Sequence, residues 1–365
     1  FRMTEGDDTP IDLGQYVLGL DNSVLREVAA NACGCSVANV RAETEPLAWS
    51  TYGCFTGDKV ILTLSYKTTA GDSGETAVYV KRQLRDPGHM ETAHYQYLNS
   101  NEIPVPRFYS SHLDEEGLEV LFLENAEPNR DGNRILKDPE NYHAFLSIAA
   151  RVNGLTPEGQ YGESLFYFGP RAETIDRGRL AVSALWDSAT SGRLGNSMKE
   201  LCTSEHHNAL LTMADFLSEI VPAMERGYTI DDFTPVKIGR RRDTGEMLVC
   251  DFRTTGLGLR FADAASWTGC PDYAQKAGYK RRELADYYFS EYLAAGGNEV
   301  PFETLLEETH TLWQLGVLCG LSWWLDSHFK GHHSMEDAEW QAVCRERLET
   351  DLTNLLKSQT VGKNG

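Results

Sequence analysis

The chain has 365 residues, 41% hydrophobic and 24% charged: enough apolar material for an ordered fold, and too long for one small core. Its formal net charge of −20 repels phosphate backbones and argues against nucleic-acid binding as its main role. The same acidity favours cationic ligands through its field and also serves plain solubility.

Eight cysteines are scattered with no C-x-x-C pair, which suits free thiols in a reducing compartment and not a zinc site. The opening residues FRMTEGDDTP are acidic, without the apolar segment of a signal peptide. The longest apolar stretch, Leu312–Leu325, is interrupted by Gln314 and Ser322 and is shorter than the ~20 residues a membrane span needs. A cytoplasmic protein is expected.

In chain order, residues 1–40 are expected to be mostly helical, with Val24, Leu25, Val28 and Ala29 at helical spacing. Val60–Tyr66 and Thr76–Val80 read as strands joined by the polar loop Thr68–Glu75. Glu91–Ser100 reads as a helix, ended by the Ile-Pro-Val-Pro run at 103–106. Leu118–Leu123 is a further strand. The polar stretch 125–133, with Pro128 and Gly132, reads as a hinge or linker. The expected division is therefore an N-lobe over 1–124, a linker over 125–133 and a C-lobe over 134–365.

The second part opens with a helix near 140–154, carrying Phe145, Ile148, Ala149 and Val152 on one face. Residues 156–200 have no clear pattern. Asn208–Arg226 reads as an amphipathic helix. Val236–Arg240 and Glu246–Cys250 form an expected hairpin around Asp243-Thr244-Gly245, with Arg240-Arg241-Arg242 as a solvated tip. Helices are expected again near 280–294, 301–326 and 335–357, the last capped by Ser334-x-x-Asp337.

Phosphoryl transfer of the kinase type needs a strand lysine for the phosphates and a helix glutamate to hold it. It also needs an aspartate for the acceptor hydroxyl and a second aspartate for metal. Lys81 ends the apolar strand Val78-Tyr79-Val80, and Glu91 starts the next helix. Asp232 lies in TIDDFTPVKI (229–238), and Asp251 follows the hairpin in Leu248-Val249-Cys250-Asp251-Phe252. Each residue type also has a bland reading: a strand-end lysine in solvent, a helix-start acid favoured by the dipole, a solvated pair of aspartates.

On these residues the chain resembles the aminoglycoside phosphotransferase and choline-kinase-like group, whose catalytic loop has the form H-G-D-x-x-P-x-N. Ile230 stands at the histidine, Asp231 at the glycine, Asp232 at the aspartate, Pro235 at the proline and Lys237 at the asparagine. Asp251-Phe252 matches the metal-binding aspartate and its aromatic neighbour. Arg151-Val152-Asn153-Gly154 resembles the end of the first C-lobe helix, and Asp263-Ala264-Ala265 a structural aspartate segment. The resemblance covers about residues 45–300.

It implies a bilobal α+β protein-kinase-like fold, with a small antiparallel-sheet N-lobe and a larger helical C-lobe. It implies transfer of a phosphoryl group from ATP, with Mg2+, to a hydroxyl of an aminoglycoside-, choline- or sugar-like molecule. Asp232 and Lys237 would be catalytic and Asp251 would hold the metal. Lys81, Glu91, Ser50, Thr51, Gly53, Leu123, Glu124 and Ala126 would bind nucleotide. Ser50, Thr51 and Gly53 belong to WSTYGCFTG (49–57), which lacks the usual glycine spacing of a phosphate-covering loop. Trp323, Trp324 and Asp326 could form a wall for a cationic substrate, or be core packing of their helix.

Two departures leave an alternative open. Ile230 loses a side chain that braces the loop, and Lys237 replaces an oxygen ligand with an ammonium, which coordinates no cation. A catalytically silent nucleotide- or ligand-binding protein on the same scaffold is the other reading. His206, His207, His328, His332 and His333 are expected to be surface residues and not a metal site.

Overall fold

The structure is a computed structural model that describes residues 12–47, 59–82, 91–157, 161, 172–269, 278, 280–331 and 336–361. The chain divides into two compact units: the residues up to 132 together with Pro235–Arg253, and 133–234 together with 254–365.

The first unit starts with helices α1 (Leu13–Leu18) and α2 (Asn22–Cys33). Each begins on an aspartate that accepts from a first-turn N–H, Asp12 from Gln15 at 3.1 Å and Asp21 from Ser23 at 2.7 Å. Gly34 ends α2 at a φ of 68°, a left-handed position where glycine carries no steric penalty.

Then come β1 (Val37–Pro46), β2 (Lys59–Thr68), β3 (Ser73–Arg82), helix α3 (Glu91–Ser100), β4 (Phe108–Leu113) and β5 (Glu119–Glu124). The strands form an antiparallel sheet in the order β1-β2-β3-β5-β4. The described part of residues 1–40 is mostly helical as expected, through α1 and α2; the strand that begins at Val37, β1, was not expected. Its apolar content is sparse, but Val40 and Ala42 alternate toward the core while Arg41 and Glu43 stay exposed. β4 was also not anticipated; FYSSHL has little apolar patterning and is placed by pairing with β5.

Alternation along the strands sorts the sheet into two faces. Val60, Leu62, Leu64, Val78, Val80, Val120 and Phe122 pack with Leu13, Val17, Leu25 and Val28 of α1 and α2. Lys59, Tyr79 and Lys81 alternate to the other face. Lys59 and Lys81 are direct partners in the β2–β3 register, so both lysines start on the same side of the sheet.

A second sheet of this unit joins β6 (Glu127–Pro128) to the hairpin β8 (Ile238–Arg240) and β9 (Met247–Val249). The hairpin is where the sequence places it, turning through Gly245 at a φ of 72°. Its tip is not simply solvated. Arg241 is buried, donating to Glu124 at 2.5 Å, Glu246 at 2.9 Å and the Val105 carbonyl at 3.3 Å.

The second unit is mainly helical: α4 (Pro139–Asn153), α5 (Ala172–Thr190), α6 (Asn196–Leu201), α7 (Ser204–Ile220), α8 (Arg281–Ala294), α9 (Phe302–Lys330) and α10 (Asp337–Val361). Asp138 caps α4, with Pro139 in the first turn, where a missing N–H costs nothing. The expected helix 208–226 stops at Ile220. Pro222 sits in the 3-10 turn Val221–Ala223, and the chain then becomes strand β7 (Arg226–Thr229). β7 pairs antiparallel with β10 (Gly256–Leu259), so the stretch with Asp232 leaves from a paired strand. No described helix is long and apolar enough to cross a membrane.

Candidate active site

In the first unit, α3 turns Glu91, Tyr95 and Leu98 inward at i, i+4 and i+7 spacing, and all three are buried. Glu91 receives the ammonium of Lys81 from β3, with Nζ 3.1 Å from Oε1 and 2.9 Å from Oε2. The second contact of Lys81 is Asp251, at 2.5 Å from Oδ1. Asp251 and Phe252 follow the hairpin and are fixed on α3 by their backbones. Asp251 N donates to the Tyr95 hydroxyl at 3.2 Å, and Phe252 N to Glu91 Oε1 at 2.8 Å. The buried Phe252 ring meets Tyr95 edge-on at 4.8 Å.

Burial works to lower the proton affinity of Lys81, but Asp251 and Glu91 outweigh it and hold the ammonium above its ordinary pKa. Burial works the other way on Asp251. Lys81 and Lys237 overcome it and keep this carboxyl ionised, well below the usual carboxylate range. Cys250, next to Asp251, is pushed up to about 12 by burial and then by Asp251, so it is a neutral thiol with no nucleophilic character.

Lys237 ends the 3-10 turn Pro235–Lys237 just before β8. Its carbonyl accepts from Cys250 N at 2.9 Å, which aligns residue 237 with the residues before Asp251. Its ammonium lies 3.5 Å from Asp251 Oδ2, with the lysine side chain 10% exposed. Asp251 has a φ of 70°, a left-handed backbone uncommon outside glycine and concentrated at functional sites.

Two further cations of this cluster were not picked out from sequence. Lys59 feels Lys81, Asp251, Glu91 and Arg253, and its proton affinity is lowered by burial and then by Lys81. Arg253 acts on Asp251 as well. The signal for Lys59 was its strand register opposite Lys81, which appears only when the strands are paired.

The second unit holds the loop with Asp232. Here Asp263 does the bracing: it accepts from Ile230 N and Asp231 N, each at 2.8 Å, and from Asn153 Nδ2 at 2.7 Å. Asn153 also donates to the Tyr228 carbonyl at 2.9 Å and accepts from the Tyr288 hydroxyl at 2.7 Å. Thr254 donates to the Ile230 carbonyl at 3.0 Å, and Trp267 Nε1 to that of Phe233 at 3.1 Å. Ile230 itself is fully buried, so packing and backbone bonds hold the loop where the resemblance expects a histidine. Asp231 takes a left-handed φ of 70°, and Asp232 is half-buried.

The remaining candidates fall in several places. Leu123 and Glu124 end β5; Leu123 is buried, and Glu124 accepts from Arg107 N at 3.0 Å besides Arg241. Ala126 N donates to the Glu124 carbonyl at 3.0 Å. Ser50, Thr51 and Gly53 lie outside the described residues, as do His332, His333 and Ser334. Trp323 and Trp324 meet each other edge-on at 4.4 Å and Trp340 of α10 at 6.3 Å; Asp326 pairs with Lys330 at 2.8 Å. His328 is buried and not a surface residue. No group of three or more His, Cys, Asp or Glu comes together to hold a metal among the described residues.

No protein-family model matches the chain, and no curated protein matches it in sequence. Solved structures do match. A Ralstonia eutropha protein provisionally named an aminoglycoside phosphotransferase is 14% identical with a TM-score of 0.52, covering 92% of this chain and 98% of its own. Choline kinase from Cryptosporidium parvum is 11% identical with a TM-score of 0.51, covering 87% and 89%. A spectinomycin phosphotransferase, solved with ADP and spectinomycin, is 8% identical with a TM-score of 0.51, covering 93% and 99%. The chain has the fold of the aminoglycoside phosphotransferases and choline kinases. That is the α+β protein-kinase-like architecture expected from its sequence, with Lys81 on the sheet of its first unit and Asp232 in its helical second unit.

The resemblance implies magnesium on Asp251, and the donor set can be tested against it. Magnesium demands near-octahedral oxygen ligands. Asp251 is one carboxylate whose two oxygens face two ammonium groups, and the position of a second oxygen ligand is Lys237. Unit charges about 4 Å apart interact by about 4 kcal/mol near a protein surface, and a divalent ion beside Lys237 doubles that as repulsion. These residues do not fit a protein-held magnesium ion of the implied kind.

Proposed function

We propose that the protein transfers the terminal phosphoryl group of a nucleoside triphosphate to a hydroxyl of a small molecule. The observation that carries this reading is the Lys81 ammonium, buried and held between Glu91 and Asp251. A buried lysine fixed by two carboxylates is costly unless it has work to do. A pre-positioned point charge for phosphate oxygens is that work.

In the proposed reaction Asp232 orients the acceptor hydroxyl and takes its proton. The hydroxyl oxygen bonds to the γ-phosphorus, the bond from that phosphorus to the β-bridging oxygen breaks, and the nucleoside diphosphate leaves with the electron pair. Lys81 and Lys237 stabilise negative charge on the phosphates. The hinge of the nucleotide base is proposed at Leu123, Glu124 and Ala126. The three fold relatives are named for aminoglycoside, choline and spectinomycin chemistry, which supports a small polar acceptor.

Lys237 on Asp251 favours one second reading, a nucleotide-binding protein that performs no transfer. Turnover separates the two. The wild type is expected to release nucleoside diphosphate in the presence of one member of an acceptor panel of aminoglycosides, choline, ethanolamine and sugars. Asp232→Ala is expected to lose about two or more orders of magnitude in rate while still binding nucleotide. Retained turnover in that variant removes Asp232 from the role of base. Nucleotide binding by the wild type without turnover on the whole panel supports the silent reading.

A further inference from the structure

We propose that the Lys237 ammonium does for a bound nucleotide what a divalent cation would, so that this site holds a nucleoside triphosphate without metal. The inference rests on the nucleotide-binding part of the reading above.

Position is the first argument. Lys237 is not a mobile surface lysine. The Pro235 carbonyl of its 3-10 turn accepts from Asn129 Nδ2 at 2.7 Å, and the Ile238 carbonyl beyond it from Asn129 N at 3.0 Å. With Lys237 O tied to Cys250 N, the β8–β9 register delivers its side chain to Asp251 and leaves it mostly buried. The ammonium thus stands where an oxygen ligand would meet a metal shared with Asp251, and a cation there leaves little reason to recruit another.

Charge is the second argument. Lys59, Lys81, Lys237 and Arg253 act on this cluster as cations, against the two carboxylates Glu91 and Asp251. Lys59 completes this set through its register with Lys81 on β2 and β3. An asparagine at 237 would remove one of these cations and place an oxygen donor beside Asp251. Metal dependence is therefore a property of that one side chain.

The test is calorimetric titration of ATP into the full chain, once with Mg2+ and once with EDTA, for the wild type, Lys237→Arg and Lys237→Asn. The wild type is expected to bind with affinities within about threefold of each other in the two conditions. Lys237→Arg keeps metal-free binding. Lys237→Asn loses about tenfold or more in EDTA and recovers with Mg2+. A circular dichroism melt confirms that each variant is folded. Loss of wild-type binding by about tenfold or more in EDTA, with tight binding in Mg2+, overturns the inference and leaves nucleotide binding standing. Equal binding by Lys237→Asn and wild type in EDTA also overturns it. No binding by the wild type in either condition overturns the nucleotide reading and this inference together.

Discussion

At Asp263 one carboxylate holds two consecutive backbone N–H groups, those of Ile230 and Asp231. These donors sit where the chain turns into a left-handed residue, a conformation that persists only when its surroundings fix it. The same reasoning applies to Asp251, whose positive φ is held by the Tyr95 hydroxyl and by Glu91 through the next N–H. Asp263→Asn keeps the shape but offers one acceptor oxygen in place of two. It is expected to cost about 1–3 kcal/mol in a denaturant melt, the range for a buried group left without its partner. An unchanged midpoint would mean that Asp263 is not the brace. At this scale much of the Lys81–Glu91–Asp251 cluster of the candidate site was legible. Lys81 ends an apolar strand, Glu91 opens a helix, and Asp251 follows a hairpin. Lys59 and Arg253 were not legible, because a lysine opening one strand and an arginine after Phe252 acquire meaning only when pairing brings them to Lys81 and Asp251. Nor was the fate of Arg241, which the run of three arginines hid as a solvated tip.

Among the elements, those with strong period were read best: α3, α4 and β5 to within about a residue, and β2 and β3 to within about three at each end, because their polar ends were taken for the loop between them. β1 was lost because polar residues dominate it and only its pairing with β2 makes it a strand. Helix α7 ended early because a helical apolar pattern continues through Val221 while Pro222 and β7 pairing override it. α5 and α6 escaped notice within 156–200, although Val182, Leu185, Trp186 and Ala189 of α5 are buried at helical spacing. α10 carries a prediction of its own. Asp351 is 5% exposed on its buried face, with Arg347 at 3.1 Å. Burial lifts its pKa to about 6 against the pull of Arg347. The folded state then holds this proton more tightly than the unfolded one. Its contribution is therefore favourable below the unfolded value near 3.8 and is lost as pH rises through about 6. Asp351→Asn is expected to raise the melting temperature at about pH 8 and to change it little at about pH 3. An equal shift at both values would contradict the burial of a charged form.

Across the whole molecule, sequence neighbours divide between the two units: the loop of Asp232 belongs to the helical unit, and the hairpin with Asp251 to the sheet unit. This division was not readable from composition. It arises from long-range bonds such as Val249 N to Pro104 O and the β6–β8 pairing, which bind the hairpin to residues more than a hundred positions earlier. The net charge of −20 gives the candidate site its contrast, since Lys59, Lys81, Lys237 and Arg253 gather around Asp251 in a chain that otherwise repels anions. The central claim is that this cluster, organised on Lys81, is a nucleotide site. It is tested most directly by titrating ATP into the wild type and into Lys81→Met, with folding of both checked by circular dichroism. Saturable binding by the wild type, weakened about tenfold or more in a folded Lys81→Met, is the result predicted. Absence of wild-type binding, or binding unchanged by Lys81→Met, would contradict it.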